Sequence, residues 1–392
     1  MIYLLQLLLV VLLTYTGVCT VYLLLFAIAG HFKKKTAFPT QPASQPQSRI
    51  AVLIPAYRED AVIVEVARQA LIQSYDKNYF EVIIIADSLQ SETLRQLQTY
   101  PVRVITVHFP ESTKAKALNT ALHQLPDYDI ALVLDADNIM DFCFLEKIHQ
   151  PFVQGSQVVQ GHRVAKNTNT AVAVLDAISE EINNHIFRKG HRSIGLSAAL
   201  IGSGMAFEYR LFKRLMTSIH TTGGFDKELE LLLLKQKYTI EYLEDALVYD
   251  EKVQHTQAFR QQRTRWIAAQ LKYLKRYFVP GLQALIVKGN IDFFDKVCQM
   301  TLLPRILLMG FLGMICLITG IINTPSLLIA GILQLSGLMI AMLLATPMHL
   351  LTKISWKEIL SLPVLFIQFI LSFTGIRQAR SKFIHTEHGK MK

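Results

Sequence analysis

Cysteine is scarce: four residues in 392, at positions 19, 143, 298 and 316. Two of them lie in apolar runs, and neither a CxxC pair nor a zinc-type spacing occurs, so no disulfide framework and no structural zinc site is implied. Glycine-rich nucleotide loops are missing as well. No such fingerprint follows any apolar run, and Gly202-Ser203-Gly204 is not completed, because Phe207 stands where a third glycine would be. With no P-loop either, the chain does not read as a Rossmann dehydrogenase or a P-loop NTPase. Basic stretches interleaved with aromatics, which single-strand binding needs, are also lacking. The formal charge of +10 is therefore assigned to residues flanking membrane segments, not to nucleic acid.

What the chain has in quantity is apolar sequence. Hydrophobic residues make up 51% of it, and the mean hydropathy is positive. One soluble domain plus membrane segments fits that length and composition. Residues 2–30 form a nearly uncharged run that would extend roughly 40 Å as a helix, enough to cross a bilayer. Lys33, Lys34 and Lys35 follow the run, whereas a signal peptide carries its cations first. Residues 1–30 are thus expected to be a membrane anchor, with the chain after it on the cytoplasmic side. Residues 31–49, rich in Pro, Gln and Ser, read as a linker. A second apolar block spans 301–376. Its runs at 302–322 and 326–346 suggest a helical hairpin turning at Asn323-Thr324-Pro325. The third run, 359–376, is shorter and carries Pro363 and Gln368. It either spans or lies in the interface, and the side taken by the basic tail 377–392 depends on which. The expectation is a multi-pass protein of the cell (inner or plasma) membrane.

Between these blocks, residues 50–256 alternate short apolar runs with helical patterns. Runs at 50–54, 81–86, 102–107 and 130–134 read as buried strands, with a helix predicted over 60–74. This predicts an α/β fold with a mostly parallel, Rossmann-like sheet covered on both faces. In such sheets ligands sit beyond the carboxyl ends of strands. Pro55, Tyr57 and Glu59 follow the first run, Asp87 the second, and Asp135 with Asp137 the fourth.

Asp135-Ala136-Asp137 places two carboxylates one residue apart, and a hard divalent cation with oxygen ligands would join them and a diphosphate. A solvated acidic turn explains the same pattern. Gln262-x-x-Arg265-Trp266 puts an amide, a fixed cation and an indole on one helix face, suited to a sugar or a phosphate. Residues 257–298 would equally form interfacial helices, where Trp is common. Asp226 at a helix start is either a general base or a cap for the helix 227–235. Glu228 and Glu230 beyond it are expected to be solvated.

Taken in order, these pieces resemble the family 2 glycosyltransferases, inverting enzymes of the GT-A fold. Within them the chain is similar to the membrane synthases related to cellulose, chitin, hyaluronan and poly-N-acetylglucosamine synthases. The resemblance covers residues 50–267 and extends in layout to the flanking apolar segments. It implies nucleotide contacts by Pro55, Tyr57, Glu59 and Asp87, the last reading the uracil, and by Lys114 and Asn119 of the KAKALN segment. It implies Mg²⁺ or Mn²⁺ on Asp137 with Asp135, and the synthase signature at Gln262, Arg265 and Trp266. Asp226 falls where a Thr-Glu-Asp motif supplies the base, although Gly224-Phe225 replace Thr-Glu. Gly202, Ser203 and Gly204 would admit the acceptor close to the backbone, or form a tight structural turn. The implied partners are a nucleotide-sugar donor (UDP-linked by default), a polysaccharide or lipid acceptor, membrane lipids, and an oligomer or export partner. Transfer of one sugar to a lipid, as in ceramide glucosyltransferases, and an inactive membrane scaffold are the rival readings.

Overall fold

The computed structural model describes residues 2–32, 47–221, 223–254 and 256–375. The lysine trio, most of the expected linker and the basic tail lie outside the described residues.

The chain starts with α1 (Ile2–Ala29), followed by β1 (Ile50–Tyr57), α2 (Ile63–Ala70), β2 (Phe80–Asp87), α3 (Ser91–Leu97), β3 (Arg103–Val107), α4 (Lys114–Gln124) and β4 (Ile130–Val133). The helix predicted over 60–74 is thus confined to α2, while the four predicted strands match within one residue at each end, except that β1 runs three residues further, to Tyr57. β5 (Ile139–Met140), α5 (Phe144–Val153), β6 (Val158–Ala165) and α6 (Ala171–Asn184) come next. A π-helical turn (His185–Gly190), α7 (His191–Ser193), β7 (Met205–Glu208), α8 (Tyr209–Met216), α9 (Phe225–Lys235) and β8 (Glu241–Asp250) complete the sheet region.

The strands form one sheet in the order β3-β2-β1-β4-β7-β6-β8-β5. The half made of β3, β2, β1 and β4 is parallel, as expected from its strand–helix alternation. β7 then runs antiparallel to both β4 and β6, β6 and β8 are parallel, and β5 is antiparallel to β8. The sheet is therefore mixed, with four of its seven strand pairings parallel and three antiparallel. The reason is local: β7 enters from the loop 194–204 and runs back along β4, with Val133 opposite Met205.

Alternation along the strands supplies both faces. Leu53, Ile83, Ile85, Ala131 and Val133 pack with Ala115, Leu118, Ala121 and Leu122 of α4 on one side. Val52, Ile54, Val82, Ile84 and Leu132 pack with Ile63, Val66 and Ala67 of α2 and with Phe144 and Ile148 of α5 on the other. A period of two with both sets apolar is what a doubly covered sheet requires.

After the sheet come α10 (Thr256–Lys288), α11 (Ile291–Gln299), α12 (Arg305–Ile321), α13 (Pro325–Ala345), α14 (Met348–Leu351) and α15 (Trp356–Ser372). α12 and α13 form the expected hairpin, and Leu9, Leu13 and Leu23 of α1 pack with Leu312, Leu338 and Ala341. Among the described residues, 3–29 and 325–345 are helices long and apolar enough to cross a membrane. Their outer faces keep Leu7, Val11, Val18, Leu25, Leu333 and Ile340 exposed. α15, the third run, starts with a capping box (Ser355 and Glu358) and packs Leu365 and Phe369 with Leu307 of α12 and Phe259 and Ile267 of α10.

Candidate active site

The parallel half brings the carboxyl ends of β1, β2 and β4 side by side. Tyr57 is in register with Asp87, and the Arg58 amide donates to the Asp87 carbonyl (3.1 Å). The Asp87 side chain is buried and accepts from the Ser88 hydroxyl at 3.0 Å. Pro55 sits inside β1, a position that a missing N–H usually forbids. Here the Leu53 carbonyl accepts from Leu134 N, so residues 53 and 55 both point toward β4, which stops pairing at Val133. The proline therefore faces the end of the ladder. Glu59 lies in the loop that follows. Asp60 accepts from Gln90 N and from the Thr93 hydroxyl, and so ties that loop to α3.

Thr113 caps α4 by accepting from Lys116 N, which fixes Lys114 in the first turn. The Lys114 ammonium donates to Asp135 Oδ1 at 2.5 Å and to the Gly202 carbonyl at 2.7 Å, and lies 5.3 Å from the Phe225 ring centre. Asp135 N donates to Ser203 Oγ at 2.9 Å, and that hydroxyl donates to Asn138 Oδ1. The Asn138 amide donates to Asp137 Oδ1 at 3.1 Å and to Asp250 Oδ1 at 3.0 Å. Asn138, which sequence reasoning passed over, thus ties the Asp137 carboxylate to Ser203 and Asp250. Asp137, Asn138 and Ser203 are all buried.

Gly202 (φ +84°) and Gly204 (φ +61°) take left-handed backbone that side chains with a Cβ rarely adopt. A Cβ on Gly202 would also sit 3.7 Å from the Asp226 carboxyl carbon. The loop therefore joins the Lys114–Asp135 pair to the start of α9. There Gly224 (φ +69°) is the N-cap, so Asp226 is the second residue of α9, inside its first turn, and not the cap of a helix that begins at Lys227. Burial raises the Asp226 carboxyl above the usual carboxylate range; Glu230 one turn on adds to this, and Lys227 and Lys114 oppose it.

The expectation that Glu228 and Glu230 are solvated is corrected: they are 4% and 1% exposed. Glu228 accepts from Arg276 (2.5 Å) and Tyr273 (3.2 Å), and Glu230 pairs with Lys296 (2.6 Å). Charged groups stay buried when they are paired in this way.

α10 carries Gln262, Arg265 and Trp266. Burial lowers the Arg265 guanidinium while Asp135 raises it, which puts that cation within electrostatic reach of Asp135. The Gln262 side-chain oxygen is buried and, among the described residues, has no hydrogen-bond partner. Trp266 is 43% exposed, with the Arg263 guanidinium 4.1 Å from its ring centre. Arg263 is the buried arginine of this segment and pairs with Asp176 at 2.5 Å. Asn119 is not drawn into the Lys114–Asp135 contact. It donates to the Ile219 carbonyl (3.4 Å) and lines a side cavity with Lys116, His123 and His220.

Lys114, Asp135, Gly202, Ser203 and Asp226 thus converge at one sheet edge, with Arg265 within electrostatic reach of Asp135 and Tyr57 and Asp87 on the adjoining strands. Among the described residues no three His, Cys, Asp or Glu side chains cluster as a ready metal cage. Asp137 and Asp135 would supply two carboxylates, leaving other positions of a hard cation to water and phosphate oxygens. That donor set suits Mg²⁺ or Mn²⁺ bound together with a diphosphate.

A family model described as "Glycosyltransferase like family 2" matches residues 46–269. The chain belongs to this family. The match begins just before β1 and ends within α10, so the glycosyltransferase region includes Gln262, Arg265 and Trp266. The chain is 22% identical over 244 residues to a protein of Bacillus subtilis named "Probable glycosyltransferase YdaM", a match covering 59% of this chain and 58% of the relative. The shared region thus spans little more than half of that relative's length. In fold, the chain resembles the mannosyltransferase PcManGT from Pyrobaculum calidifontis, solved in complex with GDP-Man and Mn²⁺, at a TM-score of 0.57 and 16% identity, covering 94% of this chain and 98% of that one. That likeness extends over the apolar helices as well as the sheet.

Proposed function

We propose that the chain is a membrane-seated, inverting glycosyltransferase that moves a sugar from a nucleoside diphosphate to an acceptor hydroxyl close to the bilayer. The observation that carries this reading is the Lys114–Asp135–Gly202–Asp226 convergence at the carboxyl edge of the parallel strands. It joins a cation and a carboxylate suited to a diphosphate with a second carboxylate, raised above the usual range by burial, on the other side of a glycine loop.

Tyr57 and Asp87 hold the base, with Pro55 and Glu59 shaping the loop over it. Lys114 and Arg265 meet the diphosphate charge, and Lys114 leaves Asp135 for it. Asp137 and Asp135 hold Mg²⁺ or Mn²⁺, which when bound would stabilise the negative charge of the leaving diphosphate. Mn²⁺ in the similar mannosyltransferase supports this choice. Asp226 takes the proton of the acceptor hydroxyl as that oxygen bonds to the anomeric carbon. The bond from that carbon to the diphosphate oxygen breaks on the opposite face, with its electron pair leaving on the diphosphate. Trp266 floors the acceptor sugar, and the Gln262 oxygen accepts a hydroxyl hydrogen from the bound substrate. Gly202 and Gly204 let the acceptor approach the backbone.

The two long apolar helices and the hairpin partner α12 support a membrane seat with the catalytic region on the cytoplasmic side. The product is a growing polysaccharide, as in the synthase branch. A second reading, one sugar placed on a lipid, is favoured by how few long apolar helices the described residues hold, since they leave little to line a polymer channel within one chain. Purified protein incubated with a panel of nucleotide-sugars, read by released nucleoside diphosphate, tests the activity. No release with any donor would refute it. Label in a high-molecular-mass fraction identifies a polymer, and label in organic extract alone a lipid product.

A further inference from the structure

A cavity of about 190 Å³ lies away from the active site, between the loop that follows β6 and the turn that follows α13. Lys166, Asn167, Thr168, Glu181, His349 and Lys353 line it. At that volume it falls below the roughly 300–1,000 Å³ of clefts that enclose drug-sized ligands, so it suits a small polar group and not a nucleotide-sugar. Its charge is cationic. Glu181 is turned to His162, which lies 3.0 Å from its carboxylate. Two lysines and a histidine then face the cavity. Lys353 donates to Thr168 Oγ1 at 2.7 Å, which bridges the two walls. Asn167 accepts from Lys252 N at 2.7 Å and fixes the loop from behind.

A second feature concerns position. α14 directly follows α13, which is long and apolar enough to cross a bilayer. Met348 and Trp356, which flank the cavity residues His349 and Lys353 in sequence, are 74% and 79% exposed, and Lys357 follows Trp356. Exposed Trp with Lys at the end of an apolar helix marks a membrane–water boundary. A cationic cavity at that level faces headgroups.

We propose that this cavity binds the phosphate of an anionic phospholipid, in the leaflet that faces the catalytic domain, with Lys166 and Lys353 as its counter-charges. The proposal rests on the membrane seat argued above. It also gives the catalytic region a fixed height over the bilayer: Lys166 N donates to the Asp250 carbonyl (2.8 Å), and Asp250 holds Asn138 beside Asp137.

The test uses the full chain purified in detergent, titrated with short-chain phosphatidylglycerol, short-chain phosphatidylcholine and inorganic phosphate, and read by native mass spectrometry. Phosphatidylglycerol should be retained in preference to the other two. The Lys166→Gln/Lys353→Gln double variant should bind it roughly 30-fold more weakly, since each basic residue at an anionic surface contributes about a factor of five. Lys166→Arg/Lys353→Arg should restore binding, and nucleotide-sugar turnover in detergent should be unchanged in both. Equal retention of phosphatidylglycerol by wild type and the Gln variant overturns the proposal, as does inorganic phosphate binding as tightly as the lipid. Vesicle flotation separates the two readings. Protein that floats while the Gln variant keeps its lipid sinks the cavity alone. Protein that stays in solution without detergent and floats with no vesicle sinks the membrane seat and the cavity with it.

Discussion

Replacing Asp226 by Asn tests the chemistry most directly, because it removes a charge and a proton acceptor while keeping the volume. Positioned general bases contribute about 10²–10⁴-fold, or roughly 3–5 kcal/mol at 1.36 kcal/mol per tenfold. The Lys114–Asp135 contact is formed by other side chains, so the nucleotide side of the site is left intact. Asp226→Asn should therefore lower kcat by about 10²–10⁴ and leave KM for the nucleotide-sugar within a few-fold. The pH dependence adds a second constraint. A base acts only when deprotonated, and burial together with Glu230 raises this carboxyl above the usual range. The wild-type kcat/KM should then fall as pH drops through that raised value, at a higher pH than an ordinary aspartate gives. Initial rates of nucleoside diphosphate release across pH, on protein whose melting is unchanged, measure both effects. Full turnover by Asp226→Asn would refute the assignment, and an acid limb no higher than that of an ordinary aspartate would refute the role of burial.

Three further outcomes are expected. Asp137→Ala should reduce turnover at least about 100-fold with no recovery on adding Mn²⁺, whereas chelator-treated wild type should recover; equal rescue of both would remove Asp137 from the cation. Asn138→Ala takes away the amide that joins Asp137 to Asp250 and Ser203, so apparent Mn²⁺ affinity should drop about 10–100-fold with kcat at saturating Mn²⁺ nearly retained. An unchanged Mn²⁺ titration would mean that this amide positions nothing. Lys296→Met leaves Glu230 buried, with Lys227 at 3.8 Å as a more distant counter-charge. It should cost on the order of 3–5 kcal/mol in a denaturant titration, and Lys296→Met/Glu230→Leu should recover most of that; a single variant as stable as wild type would contradict the pairing.

The parallel half was legible because β1, β2 and β4 carry unbroken runs of β-branched and aliphatic residues, and such unbroken apolarity means burial on both faces. Ile83-Ile84-Ile85 leaves little choice. From there the position of Asp87 and Asp135 followed without any coordinate. The other half was not legible. β7 is only Met205–Glu208, and β6 carries Gln160, His162 and Arg163 among its apolar residues, so neither offers a clean period. The buried glutamates were misread for a reason that the sequence itself contained. Glu228 and Glu230 lie in a segment where Leu229 and Leu231 to Leu234 cover every side of the helix, and a helix apolar all round is enclosed. Acidic residues within it must find cations, and Arg276 and Lys296 come from helices too distant in sequence to be anticipated.

Asn138 was missed because an asparagine after two aspartates reads as turn chemistry. Its role emerges from what stands behind it. Burial would raise the Asp250 carboxyl, but Arg163 and Lys252 hold it below the usual range. Glu180 of α6 pairs with both of these cations, and with Arg188 at 3.7 Å. On the same helix Asp176 pairs with Arg263 of α10, and Ser179 and Asn183 accept from Arg305 at the start of α12. One helix thus binds the Asp137 corner of the sheet to α10 through buried ion pairs and to the apolar hairpin through hydrogen bonds from Arg305. Such contacts add little net stability, because desolvation offsets attraction, yet losing either partner strands a charge. They tolerate one arrangement and penalise its neighbours. The energetic consequence is positional: Asp137 is held at a set place relative to α10 and α12, and an acceptor delivered from the bilayer would meet a carboxylate edge that does not drift.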